Sequence, residues 1–352
     1  MRDLEPRRVL VTGGAGFIGS AFCRRFVSSS QSRVVVADKL TYAGNLLSLA
    51  SISSHPRYRF ERMDIAEADA IAVILREEAI DAVVHLAAET HVDRSIAAPA
   101  EFIETNIVGT FRLLQAVLAY WRELGQTARD AFRFHYVSTD EVFGEAGRDE
   151  KQVSGNYFPS SPYSASKAAG EHLVRAWHRT YGLPIIVSHA SNNYGPYQYP
   201  DKLIPLTITN ALQGRSIPVY GDGRNERSWL HVDDHARGLQ LALARGRNGG
   251  TYHFGAAMAQ ANIVVVRAIC AVLDRMNPRG NGRSYEDLIT FVPDRPGHDL
   301  RYRLDPRRSE EELGWSPAVP FAEGLEETIF WFLENKSWWL PLRADTRTCP
   351  IC

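Results

Sequence analysis

The stretch Val9-Leu10-Val11-Thr12-Gly13-Gly14-Ala15-Gly16-Phe17-Ile18-Gly19-Ser20 reads as a strand, a glycine turn and the start of a helix. Its opening apolar run suits a strand covered on both faces, and the glycines mark where the chain turns. Gly13 permits the tight turn, Gly16 lets backbone approach a pyrophosphate, and Gly19 lets the helix pack closely on the strand. Backbone N–H groups and the positive helix end then receive the phosphates. A glycine motif alone is an ordinary strand-to-helix turn, but here the full context expected of a dinucleotide site is present.

On either side of this turn, β-rich runs alternate with longer amphipathic stretches. Residues 8–12, 33–37, 59–63, 82–85, 132–138 and 185–189 read as strands, and 19–28, 69–78, 106–120 and 164–181 as helices. Strand followed by helix, repeated, implies parallel pairing, because a crossover helix is the compact way to join parallel strands. The pattern predicts an α/β fold, a Rossmann-type doubly wound parallel sheet whose ligands bind beyond the carboxyl ends of the strands. After about residue 190 the alternation gives way to turns such as Tyr220-Gly221-Asp222-Gly223, with helical patterns at 203–213, 235–244 and 321–335. The expected division is a dinucleotide-binding domain over 1–190, with later segments able to return to it. A smaller, loop-rich substrate lobe follows over 191–340, and a tail over 341–352.

The 352 residues are 45% apolar and 23% charged, the makeup of a globular chain with a sizeable core. Forty basic and 41 acidic residues, scattered to a net charge of −1, give no nucleic-acid-binding surface. No apolar run approaches the ~20 residues that span a bilayer. The charged residues 1–8 run straight into the first strand, leaving no room for a signal segment, so a cytoplasmic enzyme is the expectation. Cys349 and Cys352 form a lone CxxC pair without the second half of a zinc site and read as incidental; no metal is expected.

Residues just after each strand carry the functional weight. Asp38 ends the second strand 19 residues after Gly19, where a carboxylate accepts hydrogen bonds from ribose hydroxyls and repels a 2′-phosphate. NAD is thus favoured over NADP, although Lys39 beside it pulls the other way. Asp64-Ile65 after the third strand and Leu86-Ala87-Ala88 after the fourth suit further cofactor contacts. The fifth strand runs into Ser138-Thr139-Asp140-Glu141, and 22 residues beyond Glu141 comes Tyr163-Ser164-Ala165-Ser166-Lys167. Tyr163 and Lys167, at i and i+4, share one helix face, so an ammonium near the phenol is expected to lower its pKa and make it a usable base.

Together with Asp38-Lys39-Leu40-Thr41-Tyr42-Ala43-Gly44-Asn45, Glu89-Thr90-His91-Val92-Asp93-Arg94, Ser191-Asn192-Asn193-Tyr194-Gly195-Pro196 and Asp294-Arg295-Pro296-Gly297-His298-Asp299, these motifs give the chain a family resemblance. It resembles the extended short-chain dehydrogenase/reductases and, within them, the dTDP-glucose 4,6-dehydratases, from Val9 to the Trp338-Trp339 region. The resemblance implies a reaction in three stages. Tyr163 takes the C4 hydroxyl proton while NAD accepts the C4 hydride; water leaves across C5 and C6; the hydride then returns to C6 and a proton to C5. It implies Glu141 as the base at C5, Asp140 as the acid at the departing C6 hydroxyl, and Thr139 as the group orienting the C4 oxygen.

By the same resemblance Phe17, Ile18, Lys39, Leu40, Thr41, Thr90, Thr105 and Asn193 join the NAD site. Ser138, Asn192, Leu203, Pro218, Tyr220, Asn262, Arg295, His298 and Tyr302 would hold the nucleotide sugar, with Lys202, Arg227 and Arg301 as cations for its diphosphate. A homodimer through helices 106–120 and 164–181 is also implied. Phe143 stands where the family commonly has Tyr, Ser228 where an acid is common, and 255–261 is less polar than the pattern. Three other readings stay open: a dehydratase of a GDP-, CDP- or UDP-sugar, a 4-epimerase sharing NAD, Tyr163 and Lys167, and a non-catalytic NAD-binding protein on the same fold. The Asp140-Glu141 pair argues against the last two, which have no use for it.

Overall fold

The computed structural model describes residues 6–147, 156–256 and 258–344. Twelve strands run along the chain: β1 (Arg8–Thr12), β2 (Arg33–Asp38), β3 (Tyr58–Arg62), β4 (Ala82–His85), β5 (Arg133–Thr139), β6 (Ile185–Ala190), β7 (Asn192–Tyr194), β8 (Ile217–Tyr220), β9 (Glu226–His231), β10 (Gly250–Phe254), β11 (Ala259–Ala261) and β12 (Ile289–Val292). Seven form one parallel sheet in the order β10-β6-β5-β4-β1-β2-β3. The order reverses between β1 and β4, and the clefts beyond the carboxyl ends open there.

Period-two alternation explains why the inner strands are apolar throughout. Val9, Val11, Val34, Val36 and Val84 face one core with Phe22, Phe26 and Leu239, whereas Leu10, Val35 and Val83 face the other with Ile71, Leu75, Leu113 and Val117. Each core is closed by helices, Phe17–Ser29 and Val232–Arg245 on the first face, Ala68–Glu77 and Thr110–Glu123 on the second. A third core, around Ile204, Ile208, Val219, Trp229, Val265, Ile269 and Trp339, fills the later part of the chain.

Among the departures from the sequence expectation, two bear on the main sheet and the cavity wall. Strand β10 was hidden in a polar-looking Gly-Thr-Tyr-His-Phe run, yet it pairs in register with β6 and completes the sheet's edge. An edge strand has a neighbour on one side only and needs less apolar sequence than β1 or β4. The helix expected from residue 106 is preceded by a wide, π-type turn over Glu104–Gly109. That turn turns Asn106 inward, where its amide bonds the Glu89 backbone on both sides, at 2.9 and 3.0 Å, and the Ser166 hydroxyl at 2.8 Å. Among the described residues no helix is long and apolar enough to cross a membrane. Cys349 and Cys352 lie outside the described residues, and Cys23 and Cys270 are buried free thiols.

Candidate active site

A cavity of about 430 Å³ runs from the glycine turn after β1 to the loops between residues 192 and 298. At its first end Gly13 adopts φ +72°, and a Cβ there would sit 2.5 Å from the Ala87 nitrogen. A Cβ on Gly19 would sit 2.2 Å from the Gly13 carbonyl oxygen, so turn, helix and the end of β4 close up only because these residues lack side chains. The helix opens at Phe17 with Gly16 as its cap and no capping side chain. Gly16, Phe17 and Ile18 line the cavity at this uncapped end, a fit for a pyrophosphate.

Asp38 orders the same wall. Its Oδ2 accepts the Ala15 N–H at 2.9 Å and its Oδ1 the Leu40 N–H at 2.8 Å. Each carboxylate oxygen retains a second lone pair for a ligand hydroxyl. Lys39 is turned to the neighbouring strand end, where its ammonium pairs with Asp64 at 3.2 Å and donates to the Thr105 hydroxyl at 3.3 Å. Ile65, Leu86, Ala87, Ala88, Thr90, Thr41 and Asn193 complete this part of the lining. Leu40 does not line the cavity; it takes φ +57° and contributes its backbone N–H to Asp38 instead.

The far end carries the ionisable groups. β5 ends at Thr139, whose hydroxyl caps the following turn by accepting the Glu141 N–H at 3.3 Å and donates to Asp140 at 3.2 Å. Asp140 is 4% exposed. Burial, together with the neighbouring Glu141 charge, raises its carboxyl to about 7, against the pull of Arg227. Burial also raises Glu141, but Arg295, Arg227 and Lys202 all act to keep it ionised. Two adjacent carboxyls thus sit in different fields, the arrangement that lets one hold a proton while the other accepts one.

Tyr163 and Lys167 project from the helix Pro162–Tyr181, started by Pro162 and a reciprocal cap between Ser161 and Ser164. Both are buried. The expectation that Lys167 lowers the Tyr163 phenol is not met in this arrangement. The ammonium donates to the Val137 carbonyl at 2.9 Å and lies 4.3 Å from the Tyr136 ring centroid, and it does not line the cavity. Burial lowers it to about 7, opposed by Glu171 one helical turn on. The phenol is raised, first by burial and then by the Glu141 charge, while its hydrogen bond with Thr139 works the other way. Spacing brought the two side chains to one helix face but could not show that Lys167 has a carbonyl and a ring to turn to.

Of the residues expected to hold a nucleotide sugar, Ser138, Asn192, Lys202, Leu203, Pro218, Tyr220, Arg227, Asn262, Arg295 and His298 line the cavity, and Arg301 and Tyr302 do not. Arg301 is 7% exposed, and its guanidinium donates to Glu226 at 3.4 Å. Tyr302 lies under Arg227, with the guanidinium carbon 4.5 Å from its ring centroid. Its hydroxyl donates to Asp299 at 2.9 Å. Both were expected at the nucleotide sugar by resemblance and residue type, and both stand just behind the residues that reach the cavity.

The sequence reading passed over Glu89, His91, Asp93, Tyr42, Tyr199 and Asp201, all in the lining. Asp93 accepts the Tyr220 hydroxyl at 3.0 Å and faces Arg295 at 3.6 Å, linking the loop after β4 to two distant segments. The only signal for these residues was their place within or beside the quoted motifs. Phe143 packs against His189, with ring centroids 4.7 Å apart, and Tyr157, behind the cavity wall. Ser228 sits in β9, paired with Ala259 of β11.

A family model described as GDP-mannose 4,6 dehydratase matches residues 10–328. A dTDP-glucose 4,6-dehydratase of Neisseria meningitidis serogroup B is 54% identical over 338 residues, covering 95% of each chain. One from Escherichia coli K12 is 51% identical over 341 residues, covering 94% of each. Among solved structures, a dTDP-glucose 4,6-dehydratase of Streptomyces venezuelae, crystallised with NAD bound, superposes with a TM-score of 0.86 at 46% identity, covering 95% of this chain and 99% of its own. A UDP-glucose 4-epimerase of Thermus thermophilus, in complex with NAD, gives 0.81 at 28% identity, covering 93% and 99%. At these identities over nearly the whole of both chains, this chain belongs to the dTDP-glucose 4,6-dehydratase family.

Proposed function

We propose that this protein converts dTDP-glucose to dTDP-4-keto-6-deoxyglucose with a resident NAD. The observation that carries the reading is the Asp140-Glu141 pair beside Tyr163 in one cavity, with Asp140 raised to about 7 and Glu141 faced by three cations. NAD fits the first end of the cavity: the uncapped helix start takes its pyrophosphate, Asp38 its ribose, and Leu86–Ala88 the nicotinamide side. When bound there it supplies hydride acceptance from C4 and hydride return to C6.

The remaining steps belong to side chains. Thr139 orients the C4 oxygen, and Tyr163 takes the C4 hydroxyl proton. The raised phenol of the free protein makes it a poor base by itself, so ionisation needs the positive charge that a ligand brings near it. The C4 ketone acidifies the C5 hydrogen, Glu141 removes it, and Asp140 gives its proton to the departing C6 hydroxyl; as hydride comes back to C6, Glu141 returns the proton to C5. Lys202, Arg227 and Arg295 gather where a diphosphate would lie. An epimerase has no step that uses two such acids, so the shared fold of the epimerase neighbours does not extend to their chemistry here.

We further propose that residues 1–190, together with later segments that return to the main sheet, bind the dinucleotide and that 191–340 mainly hold the nucleotide. A cytoplasmic homodimer fits a half-exposed aromatic cluster on the two helices expected to pair: Phe111 meets Trp177 edge to face at 5.9 Å, and Trp177 meets Tyr181 at 5.4 Å. Light scattering showing only monomer would oppose the dimer. For the activity, purified protein is given dTDP-, UDP-, CDP- and GDP-glucose without added NADH, and the alkali-induced absorbance of 4-keto-6-deoxy products is followed. Product from dTDP-glucose is expected; its absence, or a 4-epimer in its place, would overturn the reading.

A further inference from the structure

The loop after β2 is fixed at both ends. Leu40 donates its N–H to Asp38 at its start, and Asn45 donates its N–H to the Ala15 carbonyl at 3.0 Å at its end. Between these anchors Tyr42 reaches a segment 159 residues away, donating its hydroxyl to Asp201 Oδ2 at 3.2 Å. The ring is held from two further sides: the Arg94 guanidinium carbon lies 4.1 Å from its centroid, and Tyr199 meets it edge on at 5.2 Å. The Asp201 side chain is only 6% exposed, and His91 is its other near neighbour, at 3.9 Å. One residue on, the Lys202 ammonium donates to the Thr90 carbonyl at 2.9 Å, a second link between the same walls.

Tyr42, Asp201, Thr90 and Lys202 all line the cavity that also contains the glycine turn and Asp38. The hydrogen bond from Tyr42 to Asp201 therefore joins the wall that carries the dinucleotide contacts to the start of the helix Leu203–Leu212 in the later part of the chain. A redox cofactor regenerated at every turnover has no need to leave, whereas the sugar must enter and depart through the same cavity. We propose that Tyr42 and Asp201 form a latch across the cofactor end, whose function is to slow the escape of the dinucleotide while the substrate end stays open. The proposal rests on the NAD reading above.

The test is cofactor release rather than turnover. Protein loaded with radiolabelled NAD is diluted into excess unlabelled NAD, and retained label is followed by rapid filtration for wild type, Tyr42→Phe, Asp201→Asn and the double variant. Tyr42→Phe keeps the ring and its Arg94 contact and removes only the hydroxyl. Release is expected to be roughly tenfold faster, about 1.4 kcal/mol for the lost hydrogen bond. Asp201→Asn keeps an oxygen that still accepts from Tyr42, so it should speed release less than Tyr42→Phe, and the double variant should release no faster than Tyr42→Phe, because both changes act on one bond. The NAD-free protein already holds this bond, so its thermal midpoint should fall by no more than one hydrogen bond is worth. Unchanged release in both single variants would overturn the latch and leave the function standing. Faster release with a fall in the NAD-free midpoint well beyond that one bond would also overturn it, since general loosening would then explain the leak. Wild type that takes up no NAD would sink the latch and the NAD reading together.

Discussion

The two ends of the cavity are built from opposite materials. The cofactor end is made of missing side chains and backbone N–H groups: Gly13 and Gly19 are in place because nothing larger fits, and Asp38 is spent partly on holding the turn, as Asp64 is on holding Lys39. The other end is made of buried ionisable side chains from separate parts of the chain: Asp140, Glu141 and Tyr163, with Arg227, Arg295 and Lys202 arriving from distant loops. Binding thus depends on shape and dipoles, which tolerate pH, while chemistry depends on proton positions, which do not.

The sharpest way to separate the two is Glu141→Gln. The variant should still bind NAD and let it be reduced by dTDP-glucose, because neither step uses this carboxylate, while product formation falls by about 10²–10⁴-fold, the usual worth of a positioned base. A stopped-flow trace at 340 nm reads the first and the alkali assay the second. Unchanged product formation would remove Glu141 from its role.

Asp140→Asn tests the other carboxyl, with a loss of about 10²-fold at pH 6. The pH dependence has a definite sign. Asp140 is raised to about 7, so the proton it donates is present below that value and is lost as pH rises through it. Wild-type turnover should fall on the alkaline side of about 7. Asp140→Asn has no proton to lose over that range, so its residual turnover should no longer fall there, and an unchanged alkaline fall would take Asp140 out of its role. Stability has the same direction. A carboxyl whose folded value lies above its unfolded one favours the folded state at low pH, an advantage that vanishes as pH passes the folded value. Asp140→Asn should therefore melt higher than wild type at pH 8, and by less at pH 5.

Gly13→Ala probes the backbone end and should leave proton chemistry alone. Its Cβ would meet the Ala87 backbone at 2.5 Å from a φ of +72°, strain of roughly 1–3 kcal/mol. The turn or the end of β4 must move, and NAD affinity should fall by about 10–100-fold in a fluorescence titration. The pH profile of the NAD-saturated variant should match wild type; a shifted profile would break the separation of the two ends.

The same contrast explains what the sequence disclosed. The glycine end was legible because its geometry is local: a strand, φ-permissive residues at fixed offsets and an acid one strand later are all written within about 30 residues. The inner strands were legible because burial on both faces leaves them apolar throughout, while β10, on the edge, carried no such mark. At the chemical end, the positions of Asp140, Glu141 and Tyr163 followed from strand ends and helix spacing. Their electrostatics did not, because these depend on long-range neighbours. Lys167 turning to Val137 and Tyr136, and the raised phenol, depend on how the helix Pro162–Tyr181 lies on β5, which no spacing records.

The smallest expected effect comes from a residue that stands behind the cavity rather than in its lining, Tyr302. It does not reach the cavity, but it carries Arg227 on its ring and holds Asp299, whose backbone carbonyl accepts from the same guanidinium at 2.9 Å. Arg227 in turn is one of the cations that oppose the rise of both Asp140 and Glu141. Tyr302→Phe keeps the ring under the guanidinium and removes one hydrogen bond, and Asp299 retains Ser160 at 2.7 Å. The loss is about 0.5–1 kcal/mol, so the KM for dTDP-glucose should rise about two- to fivefold with kcat nearly constant. Tyr302→Leu, which also removes the ring, should do more and shift the alkaline limb upward, because a loosened Arg227 would let Asp140 keep its proton to higher pH. If both variants leave KM and the pH profile untouched, Arg227 is held by its backbone carbonyls alone, and Tyr302 has no part in the site.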